Sequence, residues 1–270
     1  MRESPVSTST ALLQPIDHHV WLNGFINLVR KEAHASFHGR VWAVHTLVWL
    51  LVINGLLGLV LLVSTRLDPA SSGPSGPTVL GVQIFMSVAG IIVAMGVGVL
   101  GQDAIIREIQ TGTAAWVLTK PVSRSAFVLA KAVGLSIQVV VFALLVQAVV
   151  AYGLIAAFTP APPPAVGFAL GVAILTLHTL FYVALALMLG TVFSTQAPIV
   201  GVIIGVIFVQ GLLASFVAPL AVFLPYALTA TATNVATGQS TGTSTPIWAT
   251  FVLGLVSLII AVRRFSRAEF

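Results

Sequence analysis

Charge is nearly absent from the interior of this chain, and where it is absent the sequence stays apolar for lengths that match a bilayer. From Ala132 to Val262 there is no Asp, Glu, Lys or Arg. A hydrocarbon core about 30 Å thick needs roughly 20 apolar residues of helix. Six stretches approach or exceed that length: 41–63, 79–101, 132–158, 166–192, 199–216 and 247–262. The expected fold class is an all-α integral membrane protein with six transmembrane helices. Only 7% of the 270 residues are charged, against about 25% in a soluble domain. One membrane domain over 21–262, with polar tails at 1–20 and 263–270, fits the length better than two domains.

The segments between these runs carry the local signals. Residues 1–20 are mixed and polar, with Pro5 and Pro15, and lack the apolar core of a signal peptide. From Trp21 to Arg40 one helical face gathers Trp21, Phe25, Leu28 and Val29, and the other Asn27, Arg30, Lys31 and His34. That pattern predicts an amphipathic helix in the membrane interface, or else a plain extension of the first span. Pro69 to Pro77 is a turn-rich loop, and Thr159 to Pro164 ends the third run because proline has no N–H to continue a helix. Val217 to Pro246 is apolar at first and then rich in Thr, Ser and Gly.

Six spans place both termini on one side. Of twelve Lys and Arg residues, Arg2, Arg30, Lys31, Arg40, Arg107, Lys120, Arg124, Lys131, Arg263, Arg264 and Arg267 fall on that side, and only Arg66 on the other. Positive residues mark the cytoplasmic side, so the termini are expected inside. The basic residues sit singly or in pairs at the ends of apolar runs, which is a topology signal and no phosphate-binding stripe; nucleic acid is not an expected partner.

Gln102 to Lys131 is the only internal segment where charge is concentrated, and it reads as a water-facing loop between the second and third spans. It is longer than a chain reversal requires, so something is expected to dock on it. Asp103 stands at a plausible N-cap of a short helix over Ala104 to Gln110, with Ile105, Ile106 and Ile109 as an apolar edge beside Arg107 and Glu108. Such a helix suits a knob inserting into a cleft on another protein. Thr111-Gly112-Thr113 breaks it. Trp116 returns to the interface, Pro121 ends that segment, and Arg124 and Lys131 can snorkel toward headgroups.

Glu108-x-x-x-Gly112-Thr113, followed by Leu118, Pro121-Val122-Ser123-Arg124 and Lys131, resembles the loop between the second and third spans of ABC-2 type transporter permeases. Arg30-Lys31-Glu32 before the first span is similar to that family's N-terminal interfacial helix, and the resemblance extends over nearly all of the chain after Asn23. Gln110-Thr111 departs from it, standing where many relatives are more acidic. The resemblance implies a permease that works as a dimer, with a second copy or a paralogue, in a bacterial cytoplasmic membrane. It implies two ATPase subunits on the cytoplasmic face, which carry the ATP and Mg, since this sequence has no G-x-x-x-x-G-K-[ST] phosphate loop. The coupling residues would be Asp103, Ile105, Ile106, Arg107, Glu108, Ile109, Gly112 and Thr113. The family also implies short helices dipping into the outer leaflet between the last two spans, over about Pro219 to Val235; an ordinary external loop is the alternative.

Other residues invite roles. His178 lies near the middle of the fourth span with Tyr182 one turn on, and an intramembrane ionisable group is a functional candidate by default. A neutral His bonded to a neighbouring helix is the simpler explanation. Gln138, Gln147, Gln210 and Asn54 either line a polar path or join helices. Gly167-x-x-x-Gly171 and Gly201-x-x-x-Gly205 allow close helix approach, within one bundle or between copies. Asp17-His18-His19 resembles a metal site only superficially, with no further ligand cluster in support, and neither H-E-x-x-H nor G-x-S-x-G is present. Expectation therefore centres on an exporter subunit with no catalytic site or directly bound cofactor of its own, moving a hydrophobic or amphipathic compound. Assembly or mechanical work on an envelope protein is the alternative, and an ATP-independent carrier or a membrane enzyme the reading from another class.

Overall fold

A computed structural model describes residues 20–37, 40–68, 70, 73, 75–119, 122–239 and 243–267. The 1–19 part of the expected tail, with Asp17, His18 and His19, lies outside the described residues, as do Lys120 and Pro121. Among the described residues six helices are long and apolar enough to cross a membrane. In chain order the elements are α1 (Val20–Phe37), α2 (Trp42–Leu67), α3 (Gly76–Gln110), α4 (Thr113–Leu118), α5 (Arg124–Phe158), α6 (Ala165–Gly190), α7 (Ala197–Phe216), α8 (Ala218–Ala221), α9 (Ala227–Ala236) and α10 (Thr245–Arg267). The spans are α2, α3, α5, α6, α7 and α10.

The spans do not share burial equally. The most apolar stretch of α6 is 67% buried and that of α7 only 17%, so α6 is the axis of the bundle and α7 a peripheral helix. Phe85, Met86, Val93 and Val97 of α3 and Leu175, Tyr182 and Leu187 of α6 form the centre of the core. The first helix, α1, packs along the start of α5. Its two faces agree with the sequence pattern: Phe25, Leu28 and Val29 are half-buried, while Asn27, Arg30, Lys31 and His34 are exposed.

The charged segment is mostly not a loop. Helix α3 continues without a break from the apolar run to Gln110, and Asp103 is an interior residue, not an N-cap; the helix starts far upstream, after Ser75. No residue from 102 to 110 is Gly or Pro, and each added residue gains a backbone hydrogen bond once the helix is nucleated. The end of hydrophobicity is therefore not the end of the helix. What stops α3 is Gly112, at φ +70°, the left-handed position that glycine tolerates best. The return helix begins early too. The Ser123 side chain accepts from Ala126 N–H at 3.1 Å and caps α5 just before Arg124. The connector outside the span helices shrinks to 111–123, with α4 inside it.

Between α7 and α10, helix α9 lies alongside the spans and not beyond their ends. A Cβ on Gly171 would sit 2.6 Å from the Ala232 carbonyl oxygen, and one on Gly167 would sit 2.9 Å from that of Val235. The α6 glycine pair therefore packs inside the bundle, backbone to backbone. A Cβ on Gly201 or Gly205 of α7 would meet nothing within 4 Å; that pair faces outward.

Candidate functional site

The charged residues of the segment converge on one lysine. Lys131 Nζ lies 2.5 Å from Glu108 Oε1 and 2.8 Å from Glu32 Oε1. Glu32 comes from α1, Glu108 from α3 and Lys131 from α5, so a single ammonium joins three helices. The approach of α1 depends on Gly134, where a Cβ would fall 2.6 Å from the Glu32 Cβ. Lys131 is 9% exposed, which corrects the expectation that it snorkels to headgroups. It lies seven residues inside α5, where a charge needs a counter-charge, and two carboxylates supply it. Glu108 Oε2 is buried and has no hydrogen-bond partner among the described residues.

These groups open onto a cleft of about 470 Å³, lined also by Asp103, Arg107, Thr113 and Gln138. Asp103 Oδ1 accepts from Gln196 Nε2 at the start of α7. Arg124, expected to reach toward lipid, instead donates from Nη1 to the Ser266 carbonyl at 3.0 Å, near the end of α10. The end of the bundle at which α3 and α10 finish is thus a belt of polar ties among α1, α3, α5, α7 and α10.

The apolar edge divides. Ile105 and Ile106 are 0% and 2% exposed, packed into the protein's own core, and only Ile109 reaches the surface. They therefore offer no docking face. A Cβ on Gly190 would lie 3.5 Å from the Ile105 Cβ, so it is the end of α6 that covers this edge. The exposed residues of the tip include Ile109, Gln110, Thr111, Gly112 and Trp116. Local hydrogen bonds fasten the turn: Thr111 Oγ1 donates to the Arg107 carbonyl at 2.8 Å and shares a 2.6 Å hydrogen bond with the Thr113 hydroxyl.

The remaining sequence candidates fall into two separate groups. His178 Nδ1 lies 3.0 Å from the Pro225 carbonyl; a carbonyl only accepts, so Nδ1 carries the proton. Gln210 Oε1 accepts from Tyr226 N–H at 2.9 Å, and Gln210 Nε2 lies 3.4 Å from the Tyr182 hydroxyl. These side chains hold the non-helical joint that precedes α9. Gln147 is elsewhere, in the first–third span contact. Its Nε2 donates to the Phe142 and Thr46 carbonyls, so its Oε1 must accept, and Asn54 Nδ2 donates to it at 2.8 Å. Both partners adjoin π-helical turns, Leu50–Asn54 and Val139–Leu145, whose wider winding displaces the usual backbone pairing. The residues that sequence reasoning left out of the site are Glu32 and Gln196. A lysine placed inside an apolar helix was a signal for the first; nothing local signals the second.

No curated protein matches the chain. The sequence profile of the family described as ABC-2 family transporter protein matches residues 26–270, which takes in α2 to α10, most of α1 and all of the charged cluster. The chain belongs to the ABC-2 transporter family, and it is a multi-pass membrane permease of an ABC transporter.

Proposed function

We propose that this permease is an exporter subunit that receives the stroke of a separate ATPase subunit through the tip at 109–116. The ABC-2 domain would span 21–262, with both termini on the cytoplasmic side of a bacterial inner membrane. The observation that carries the reading is the continuity of α3, one helix of 35 residues from the opposite end of the bundle to the tip. A displacement of the tip is then a displacement of the whole second span. Lys131 passes it on to α1 and α5 through Glu108 and Glu32. With Ile105 and Ile106 buried, the ATPase would grip Ile109, Thr111, Gly112 and Trp116.

The working unit would be two permeases and two ATPase subunits, with ATP and Mg held by the latter. Support for a second copy or paralogue comes from α7, which turns Phe208, Leu212 and Phe216 outward beside the open glycines 201, 205 and 211. Trp42 and Trp248 are exposed near helix ends, where the ring suits the lipid interface. The absence of fixed charge from Ala132 to Val262 supports a hydrophobic or amphipathic compound as the substrate.

The test is a paired substitution, Ile109→Asp with Trp116→Ala, made in the complex purified in mild detergent. The expected result is loss of most of the co-purifying ATPase while the permease stays monodisperse, because these side chains are exposed. An ATPase that remains stoichiometric and still drives transport would reject the reading.

A further inference from the structure

Helices α5, α6 and α10 leave a cleft of about 390 Å³ between them. Its walls are apolar, with Leu129, Leu177, Phe181 and Leu258 among them, and only Ser136 and Thr250 add hydroxyls. It runs from Thr250 to Leu258 along α10 and from Ile137 to Leu129 along α5, about 12 Å on each helix. One leaflet contributes about 15 Å to a hydrocarbon core of about 30 Å, so the cleft is nearly a leaflet deep. All three helices are spans, and Phe251 and Leu255 on the α10 wall are 50% and 46% exposed. The cleft therefore opens sideways, to lipid and not to water.

One end of this cleft leads to cations. Phe251, Leu255, Ile259, Arg263 and Arg267 are all exposed and follow one another at i, i+4 spacing along α10. Residues four apart are neighbours on a helix surface, so the row carries the cleft mouth down to two guanidinium groups. Arg263 comes about 7.5 Å along the axis after Leu258. At that level α10 meets the start of α5, where Arg124 Nη1 donates to the Ser266 carbonyl. No acidic residue stands on α5, α6 or α10, and Glu32 and Glu108, which reach α5 from other helices, are engaged by Lys131.

We infer that the cleft holds one acyl chain of an anionic phospholipid, whose phosphate rests on Arg263 and Arg267. A volume of about 390 Å³ over about 12 Å leaves a cross-section of roughly 30 Å². That admits a hydrocarbon chain and shuts out the helix of another protein, which is about 10 Å across. Basic sites beside membrane spans recognise anionic headgroups, and guanidinium forks match phosphate oxygens. The lipid belongs to the leaflet on the side where α10 ends, and it fills the space that side chains leave between the last span and α5. The site is independent of the ATPase reading.

The test titrates dioleoylphosphatidylglycerol and dioleoylphosphatidylcholine separately into the delipidated full-length permease in mild detergent, and counts bound copies by native mass spectrometry. The two lipids share their chains and differ in net charge. The first copy of the anionic lipid should bind about tenfold more tightly than the neutral one. Arg263→Gln together with Arg267→Gln, at exposed positions, should abolish that preference and leave the neutral lipid unchanged. Ser136→Phe puts a ring into the cleft and should weaken the anionic lipid about tenfold with both arginines in place. Equal affinity of the two lipids for the unaltered chain would overturn the proposal. So would a loss in the arginine variant with none in Ser136→Phe, because the lipid would then meet a diffuse basic surface and no built cleft.

Discussion

The end of the bundle around Lys131 is held by charges, and the α9 end by neutral hydrogen bonds and close backbone contact. At the first, Lys131 binds two glutamates whose side chains are 17% and 21% exposed. At the second, His178 and Gln210 serve one carbonyl and one N–H of the joint before α9, and Gly167 and Gly171 let α9 touch α6. The difference follows from the solvent. An ion pair near water keeps part of its hydration and gains from a moderate dielectric. The same pair deep in hydrocarbon would have to overcome the full cost of desolvation, whereas non-helical backbone there must find a neutral partner. The first arrangement can be rearranged by a partner that brings or removes charge. The second is a fixed seat.

The largest effect should come from breaking the charged end. Lys131→Met leaves Glu32 and Glu108 facing each other without a cation, and removing one partner of a largely buried set costs about 3 kcal/mol. Thermal unfolding in detergent should show the loss. The triple change Glu32→Gln, Lys131→Met, Glu108→Gln removes the charges together and should recover most of that stability, while ATP hydrolysis stays uncoupled from transport. If the neutral triple still couples, the ions are only structural and the two ends do not differ in kind.

A smaller effect tests the seat itself. Gly171→Ala forces a methyl to 2.6 Å from the Ala232 carbonyl oxygen, which belongs to backbone and cannot move aside alone; overpacking of this kind costs about 2 kcal/mol. Gly201→Ala, with nothing within 4 Å, should leave the protomer as stable or raise its stability by up to about 1 kcal/mol through helix propensity. Any defect it causes would then appear in the dimer fraction by light scattering. Equal destabilisation by both would mean that the two glycine pairs are not distinct in role.

The glycine pairs also show what the sequence could reveal. Two identical G-x-x-x-G spacings announce close approach, but not to what: the partner backbone lies in a segment about sixty residues away for Gly171, while a Cβ on Gly201 meets nothing within 4 Å in the protomer. The six spans were legible since bilayer thickness fixes run length. Their ends were not, because hydrophobicity stops at Gly101 while the helix hydrogen bonds continue to Gln110. The edge of Ile105, Ile106 and Ile109 was correctly amphipathic in pattern. Periodicity says only that a face will be covered; here the protein's own core covers Ile105 and Ile106, with Gly190 against Ile105. Lys131 read as a headgroup anchor because α1, which brings Glu32, is a hundred residues earlier.

The smallest effect belongs to the neutral clip, and its smallness is informative. Gln210→Leu removes the acceptor of the Tyr226 N–H, and a hydrogen bond of this kind within membrane proteins is worth about 1 kcal/mol at most sites. Global unfolding should barely register it. The groups it serves, however, are the backbone of a joint only a few residues long between α8 and α9, with no helix ladder to fall back on. Local opening draws on local contacts, so amide exchange at 224–228 should accelerate about fivefold for a loss of this size while exchange in the core of α6 does not change. His178→Phe removes the matching bond to Pro225 and should act on the same amides. Exchange that rises uniformly over the bundle in both variants would mean that the clip supports the whole fold, and the α9 end would then be as much a part of the core as the charged one.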